Sequence, residues 1–228
     1  MTDPAVMSEA RDLFLRAQEQ WLAESPLADM AAWVRSGRAP SAETLRQCGL
    51  AGLQSLDHSR FAELRFARQA YIRRWGFAIP CAEMIAALAG CGPMVEVGAG
   101  TGYLTAMLRA AGCDVVATDV QTEGKIGYGF AAAAHAPVER LGAAEAVAAY
   151  AERDVLCAWP TQDHEWAAEA ARLIRPRRTL ALIAEPPGGC TGTPDLYKLL
   201  AEDFELIETV EIPQFPKVDD RLTIHRRR

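Results

Sequence analysis

The chain has 228 residues, half of them hydrophobic, which is enough for one α/β domain with a substantial core and an accessory segment. A formal net charge of −6 leaves no overall basic field, and this excludes nucleic acid as a default partner. The N-terminus, Met1-Thr2-Asp3-Pro4, lacks a basic n-region and an apolar h-region, no apolar run reaches membrane-span length, and the 6 cysteines are scattered without a C-x-x-C pair; the expectation is a cytoplasmic protein with reduced thiols and no membrane partner.

Up to about residue 92 the pattern is helical. Pro4 suits the first position of a helix after Asp3, and Leu13, Phe14, Ala17 and Trp21 are read as one face before Ser25-Pro26 stops it. A short segment with Met30, Trp33 and Val34 ends at Gly37. Pro40-Ser41 introduces a third, carrying Leu45, Leu50 and Leu53. A longer helix follows Asp57, with Phe61, Leu64, Arg68, Tyr71, Ile72 and Trp75 at helical spacing, and Pro80 opens another with Met84, Ile85 and Leu88. Arg60, Arg65, Arg68, Arg73 and Arg74 make the long helix basic. A solvated face and an anion site both fit them, because guanidinium forks match carboxylates.

Gly90-Cys91-Gly92-Pro93 divides the chain into a helical segment, 1–92, and a segment, 93–228, in which strand and helix alternate. Strands are expected at about 94–98, 114–119, 136–140, 154–159, 179–184, 204–211 and 221–226, with helices at about 103–111, 143–151, 163–174 and 194–202. The last two strands are joined by a short, Pro-rich link, Ile212 to Asp220, which leaves no room for a crossover helix and makes them an antiparallel hairpin. The expected fold is α/β: a seven-stranded doubly wound sheet of five parallel strands plus that hairpin, with an N-terminal helical extension.

The chemistry concentrates in Val95-Glu96-Val97-Gly98-Ala99-Gly100-Thr101-Gly102-Tyr103 and in Asp119, which closes the second strand. Glycines after a buried strand let the backbone turn sharply and approach a ligand, whose charge then meets the amides of the following helix. An acidic residue at the end of the second strand can accept hydrogen bonds from a ribose diol. The spacing is not the G-x-G-x-x-G of dinucleotide folds, since Tyr103 stands where the third glycine would be. Glu-x-Gly-x-Gly-x-Gly instead resembles motif I of the class I S-adenosylmethionine (SAM) methyltransferases, and the likeness covers roughly residues 93–226.

The resemblance implies SAM as cofactor. Glu96, Gly98, Ala99, Gly100, Thr101 and Gly102 would line its methionine side, Asp119 with Val120 its ribose side, and Trp159, at the end of the fourth strand, would face the transferred methyl. Such enzymes often cover SAM with an N-terminal helical segment. Tyr71 and Trp75, at i and i+4, are therefore expected to face the pocket together, with Trp159 as the third candidate catalytic residue. Cys157-Ala158-Trp159-Pro160, the cluster Gly188-Gly189-Cys190-Thr191-Gly192 and Ile212-Pro213-Gln214-Phe215-Pro216 look like a small group of methyltransferase-like proteins, a looser likeness that names no substrate.

The four histidines, His58, His135, His164 and His225, show no metal-ligand spacing, and no metal is expected. Asp163-His164 is either a helix start with Asp163 as cap or a pair reaching a substrate proton. The family's Asn-Pro-Pro-Tyr motif for amino groups of nucleic-acid bases is replaced by Cys157-Ala158-Trp159-Pro160, which argues against base methylation. The resulting expectation is methyl transfer to oxygen or nitrogen of a small metabolite or peptide. Two alternatives stay open: SAM consumed by intramolecular cyclisation with release of methylthioadenosine, and SAM binding without turnover. An NAD-linked oxidoreductase is disfavoured by Tyr103.

Overall fold

The computed structural model describes residues 4–52, 58–120 and 134–228; Asp3, Leu53 and Asp57, which figure in the sequence reading, lie outside them. Among the described residues, five helices precede the first strand: α1 (Pro4–Ala23), α2 (Met30–Ser36), α3 (Ala42–Gln47), α4 (His58–Arg74) and α5 (Ala82–Ala89). The alternating half follows as β1 (Met94–Val97), α6 (Tyr103–Ala110), β2 (Val115–Asp119), β3 (Val138–Arg140), α7 (Ala143–Ala149), β4 (Asp154–Ala158), α8 (Trp166–Arg172), β5 (Thr179–Ala184), α9 (Pro194–Asp203), β6 (Phe204–Val210) and β7 (Arg221–Arg227).

One sheet takes the seven described strands in the order β3-β2-β1-β4-β5-β7-β6. The first five pair in parallel, β6 and β7 form the antiparallel hairpin, and β7 also pairs antiparallel with β5. The hairpin therefore turns back so that its second strand lies inside the sheet and β6 forms the edge.

Side chains alternate between two apolar layers, as the period of two along a strand requires. Met94, Leu156, Ala181 and Ile183 join the layer built from α2, α4, α5 and α6, whereas Val95, Val97, Val155, Cys157, Leu180 and Leu182 join the layer beneath α7, α8 and α9. The first of these layers runs without a break from Leu22 and Leu45 to Leu104, Leu156 and Leu222. Helix ends follow local chemistry: Ser41 accepts from Thr44 N at 3.1 Å, and Thr193 accepts from Leu196 N just ahead of Pro194.

Three expectations need correction. Leu13 does not share the inward face of α1; it is 64% exposed, while Phe14 meets Phe66 edge-on and Gln18 and Leu22 are the buried positions. Residues at i and i+1 stand too far apart around a helix to share one face. Leu50 lies past the end of α3, in the bend leading to the Ala51–Gln214 bridge. Helix α8 begins at Trp166, with Glu165 as its N-cap, so Asp163 is not the cap.

Asp154, buried at the start of β4, fastens the amino-terminal edge of the sheet, since its Oδ2 accepts from Gly92 N at 3.0 Å and its Oδ1 from Thr179 N at 2.9 Å. Asp154→Asn leaves a single carbonyl oxygen for two amides, and a loss of about 1–2 kcal/mol is expected. Urea unfolding of the two proteins measures it, and an unchanged midpoint would remove Asp154 from the account of stability.

Candidate functional site

A cleft of about 570 Å³ opens at the carboxyl ends of β1, β2 and β4. The sheet order reverses between β1 and β4, the switch point where open α/β sheets take ligands, and the volume suits a small molecule. Glu96, Gly98, Ala99, Gly100, Thr101, Asp119, Val120, Trp75 and Trp159 all line it. Gly102 and Tyr71, of the residues expected there, do not.

The glycine turn explains the first group. Gly98, Gly100 and Gly102 have φ of 67°, 55° and 68°, all left-handed. A Cβ on Gly98 would also meet the Trp166 ring at 3.1 Å, so that position is closed to larger residues twice over. Gly102 sits behind the cleft as the N-cap of α6, where a Cβ would meet Val138 at 3.1 Å. The turn is tied to the neighbouring strand: Gly100 N donates to Asp119 Oδ2 at 2.9 Å, and Ala99 N donates to Thr118 O at 3.0 Å. The carboxylate of Asp119 is thereby held at the end of β2, on the wall of the cleft.

Glu96 is buried beneath the turn, where its Oε2 accepts from the backbone N (3.1 Å) and hydroxyl of Thr105 in the first turn of α6. A negative charge there complements the helix dipole. Burial nevertheless dominates and pushes its carboxyl up to about 7, against the two hydrogen bonds from Thr105.

The helical segment closes the cleft through Trp75, Phe77 and Ala78. Tyr71 and Trp75 do not face it together. Helix α4 ends at Arg74, and the chain then bends at Gly76, whose backbone lies so close to the Tyr103 ring that a Cβ would approach it to 2.7 Å. Trp75 therefore turns toward the cleft, its ring stacked on His135 at 4.4 Å and its carbonyl accepting from the Thr101 hydroxyl. Tyr71 stays in the core, fully buried, edge-on to Phe215 at 5.3 Å, with its hydroxyl donating to Ala78 O at 2.6 Å.

The wall at the end of β4 is aromatic and meets the helical segment at Phe77. Trp159 stacks face to face on Phe77, centroids 5.0 Å apart and planes 15° off parallel. One indole face is thus covered by Phe77. Trp166 completes this side, its Nε1 donating to Thr161 Oγ1 at 2.9 Å, and Asp163 and His164 stand exposed at the rim.

Of the basic residues on α4, Arg73 and Arg74 reach Glu19 of α1, and Arg65 is exposed. Arg68 differs: its guanidinium lies 5.5 Å from the Trp159 centroid and 5.9 Å from that of Phe215. Burial lowers its pKa, against the nearby Asp220 carboxylate.

Sequence reasoning did not single out Trp166, Thr161 or Asp220. Trp166 had a readable signal, since an indole in the first turn after β4 must sit at the carboxyl edge of the sheet. Among the described residues, no group of three or more His, Cys, Asp or Glu is placed to hold a metal ion, and no helix is long and apolar enough to cross a membrane.

No protein-family model matches the chain, and no curated protein matches it. Among solved structures, it is similar to magnesium protoporphyrin IX methyltransferase of Synechocystis PCC 6803 with bound SAM, at 18% identity over 82% of this chain and 92% of that one, TM-score 0.45. It is similar also to the 1,6-didemethyltoxoflavin-N1-methyltransferase of Burkholderia thailandensis, with 19% identity over 75% of this chain and 84% of that one, TM-score 0.43. Human N-acetylserotonin methyltransferase in complex with SAM shares 14% identity over 92% of this chain and 70% of that one, TM-score 0.43. These likenesses are distant.

Proposed function

We propose that the chain is a SAM-dependent methyltransferase that transfers a methyl group to oxygen or nitrogen of a small metabolite or peptide. The observation that carries this reading is the junction of Gly100 and Asp119: a left-handed glycine turn and a strand-end carboxylate, hydrogen-bonded to each other, on the wall of one cleft at the sheet's switch point. A nucleoside joined to a short charged chain matches those two features. Asp119 would take the ribose hydroxyls, the turn from Gly98 to Thr101 would take the methionine end, and Val120, Leu141 and Ala143 would flank the base. Tyr103, in the third-glycine position, fills the space beside Gly76 with its ring, and this favours SAM over a dinucleotide.

When bound, SAM supplies a methyl group on an activated sulfonium. The protein's part is then to hold the acceptor in line and keep water out, and alignment alone can contribute on the order of 7–11 kcal/mol to such a displacement. Phe77, Trp159 and Trp166 form the dry wall for that task, and Trp75 closes it from the helical segment 1–92, which acts as a cover. His164, at the rim beside Asp163, is the imidazole available to take a proton from the acceptor.

Calorimetric titration with SAM and, separately, with NAD tests the reading. Binding of SAM alone is expected. Asp119→Ala should weaken it by about 1.5–3 kcal/mol, the range for hydrogen bonds to a charged group. Asp119→Asn, which keeps an oxygen for Gly100 N, should lose less. Wild-type affinity in the alanine variant would remove the ribose assignment, and preference for NAD would remove the methyltransferase reading altogether.

A further inference from the structure

We propose that Asp220 is a positioning residue for the cleft, holding the Trp159 indole upright at the end of β4 through the hydrogen bond from Trp159 Nε1, with Arg68 as its countercharge. The inference rests on the reading of the cleft as a SAM site.

Trp159 has φ of +55°, a left-handed conformation that a bulky side chain adopts only when its surroundings impose it. The restraints are visible. Its backbone N donates to Ile183 O at 2.8 Å, Phe77 covers one ring face, and Nε1 donates to Asp220 Oδ2 at 2.7 Å. Of these, the bond to Asp220 fixes the rotation of the indole, because a stacked ring alone can slide and turn in its plane.

Asp220 reaches this place through topology. It immediately precedes β7, which runs antiparallel to β5, and since Arg221 pairs with Ala184 at the end of β5, the residue before it stands level with the carboxyl ends of the parallel strands. Its backbone is fastened there by Gln214 Nε2, which donates to Asp220 O at 2.6 Å. The residue is 2% exposed, and its second oxygen, Oδ1, is buried without a hydrogen-bond partner. The Nε of Arg68 is likewise buried and without one. Buried polar atoms are nearly always satisfied, so packing alone would favour an apolar side chain at 220. A carboxylate makes sense if its charge strengthens the bond from Trp159, since an ionised acceptor holds an N–H about twice as strongly as a neutral one.

That strength depends on ionisation. Burial pushes the Asp220 carboxyl up to about 7; the Trp159 N–H and Arg68 oppose the shift, and Glu185 adds to it. Tyr71 and Tyr103, buried on α4 and α6, are the other titratable groups that feel its charge. The indole should therefore be held most firmly above neutrality.

The test uses the indole ¹⁵N–H resonance of Trp159, identified by its loss in Trp159→Phe, together with SAM affinity by calorimetry at pH 6 and pH 8. In the wild type the resonance should move with a midpoint near 7, and SAM should bind about fivefold more weakly at pH 6 than at pH 8. Asp220→Asn keeps an acceptor and a similar shape. It should bind SAM at pH 8 more weakly than the wild type does, with a resonance that no longer follows pH and an affinity that keeps only the pH dependence due to Glu96, whose carboxyl also lines the cleft. Asp220→Ala should expose the Nε1–H to rapid solvent exchange. A resonance unaffected by either substitution, or an asparagine variant with the wild-type pH profile, overturns the proposal while leaving SAM binding in place. If the wild type binds no SAM, the cofactor reading fails by itself. The resonance of the ligand-free protein then still decides the Asp220 contact: titration lost in Asp220→Asn supports it, and identical behaviour in both proteins overturns it.

Discussion

Tyr71→Ala is expected to cost about 3–5 kcal/mol of folding stability while leaving SAM affinity within about twofold, provided binding is measured where the variant is folded. The ring is fully buried between the helical layer and the sheet, in edge contact with Phe215, and truncation opens a cavity that the surrounding side chains cannot fill. Its hydroxyl donates to Ala78 O, but the Tyr103 hydroxyl reaches the same oxygen. Tyr71→Phe should therefore be mild, about 0.5–1.5 kcal/mol, because the carbonyl keeps one donor. Denaturant unfolding and calorimetry on the two variants separate the roles. Loss of SAM binding in a Tyr71→Ala protein of near-native stability would return Tyr71 to the cleft wall.

That a residue expected at the cleft belongs to the core shows where sequence reading reaches its limit here. Strands β1, β4 and β5 were legible because they are short apolar runs bounded by turn residues. The turn from Gly98 to Gly102 was legible because its requirement is local: three left-handed positions in five residues leave glycine as the residue of choice. Asp119 followed from the same geometry. The pair Tyr71 and Trp75 failed for another reason. The helical bond from Trp75 N to Tyr71 O, 2.8 Å, keeps them at i, i+4, but that spacing aligns two Cβ atoms and not two rings: Phe215 and Ala78 O hold Tyr71 in the core, while His135 holds Trp75 toward the cleft.

Trp159 and Asp220 illustrate a non-local limit. Their contact spans the whole of α8, β5, α9 and β6, and it exists because β7 runs antiparallel into the sheet between β5 and β6. The pairing of the last two strands could be inferred from their short link, but not which of them would lie inside. That one choice carries Asp220 to the cleft end of the molecule. The surroundings of Arg68 have the same origin: helical spacing with Leu64, Tyr71 and Ile72 sets it apart from the exposed Arg65, but only the tertiary fold brings Trp159 and Phe215 to its guanidinium.

Glu96→Gln should become progressively more stable relative to the wild type as pH rises from about 5 to 8, by on the order of 3 kcal/mol across the window. Burial raises the Glu96 carboxyl from 4.5 in the unfolded chain to about 7 in the folded one. Between those values the folded protein holds a proton that the unfolded chain has released. The stability this group contributes is thus complete below about 4.5 and is lost as pH climbs through about 7. Glutamine cannot titrate, yet its carbonyl oxygen can still accept from Thr105 N and Oγ1, so the cap on α6 survives the substitution. Asp220 shifts in the same direction, while Glu83, Glu185 and Asp114, all lowered, push the other way at lower pH. These contributions are common to both proteins and cancel in the difference, which makes the comparison specific to position 96. Urea unfolding at unit pH intervals provides the two curves. If they run parallel from pH 5 to 8, the buried carboxyl titrates as it does in the unfolded chain, and desolvation at the foot of the glycine turn has been overestimated.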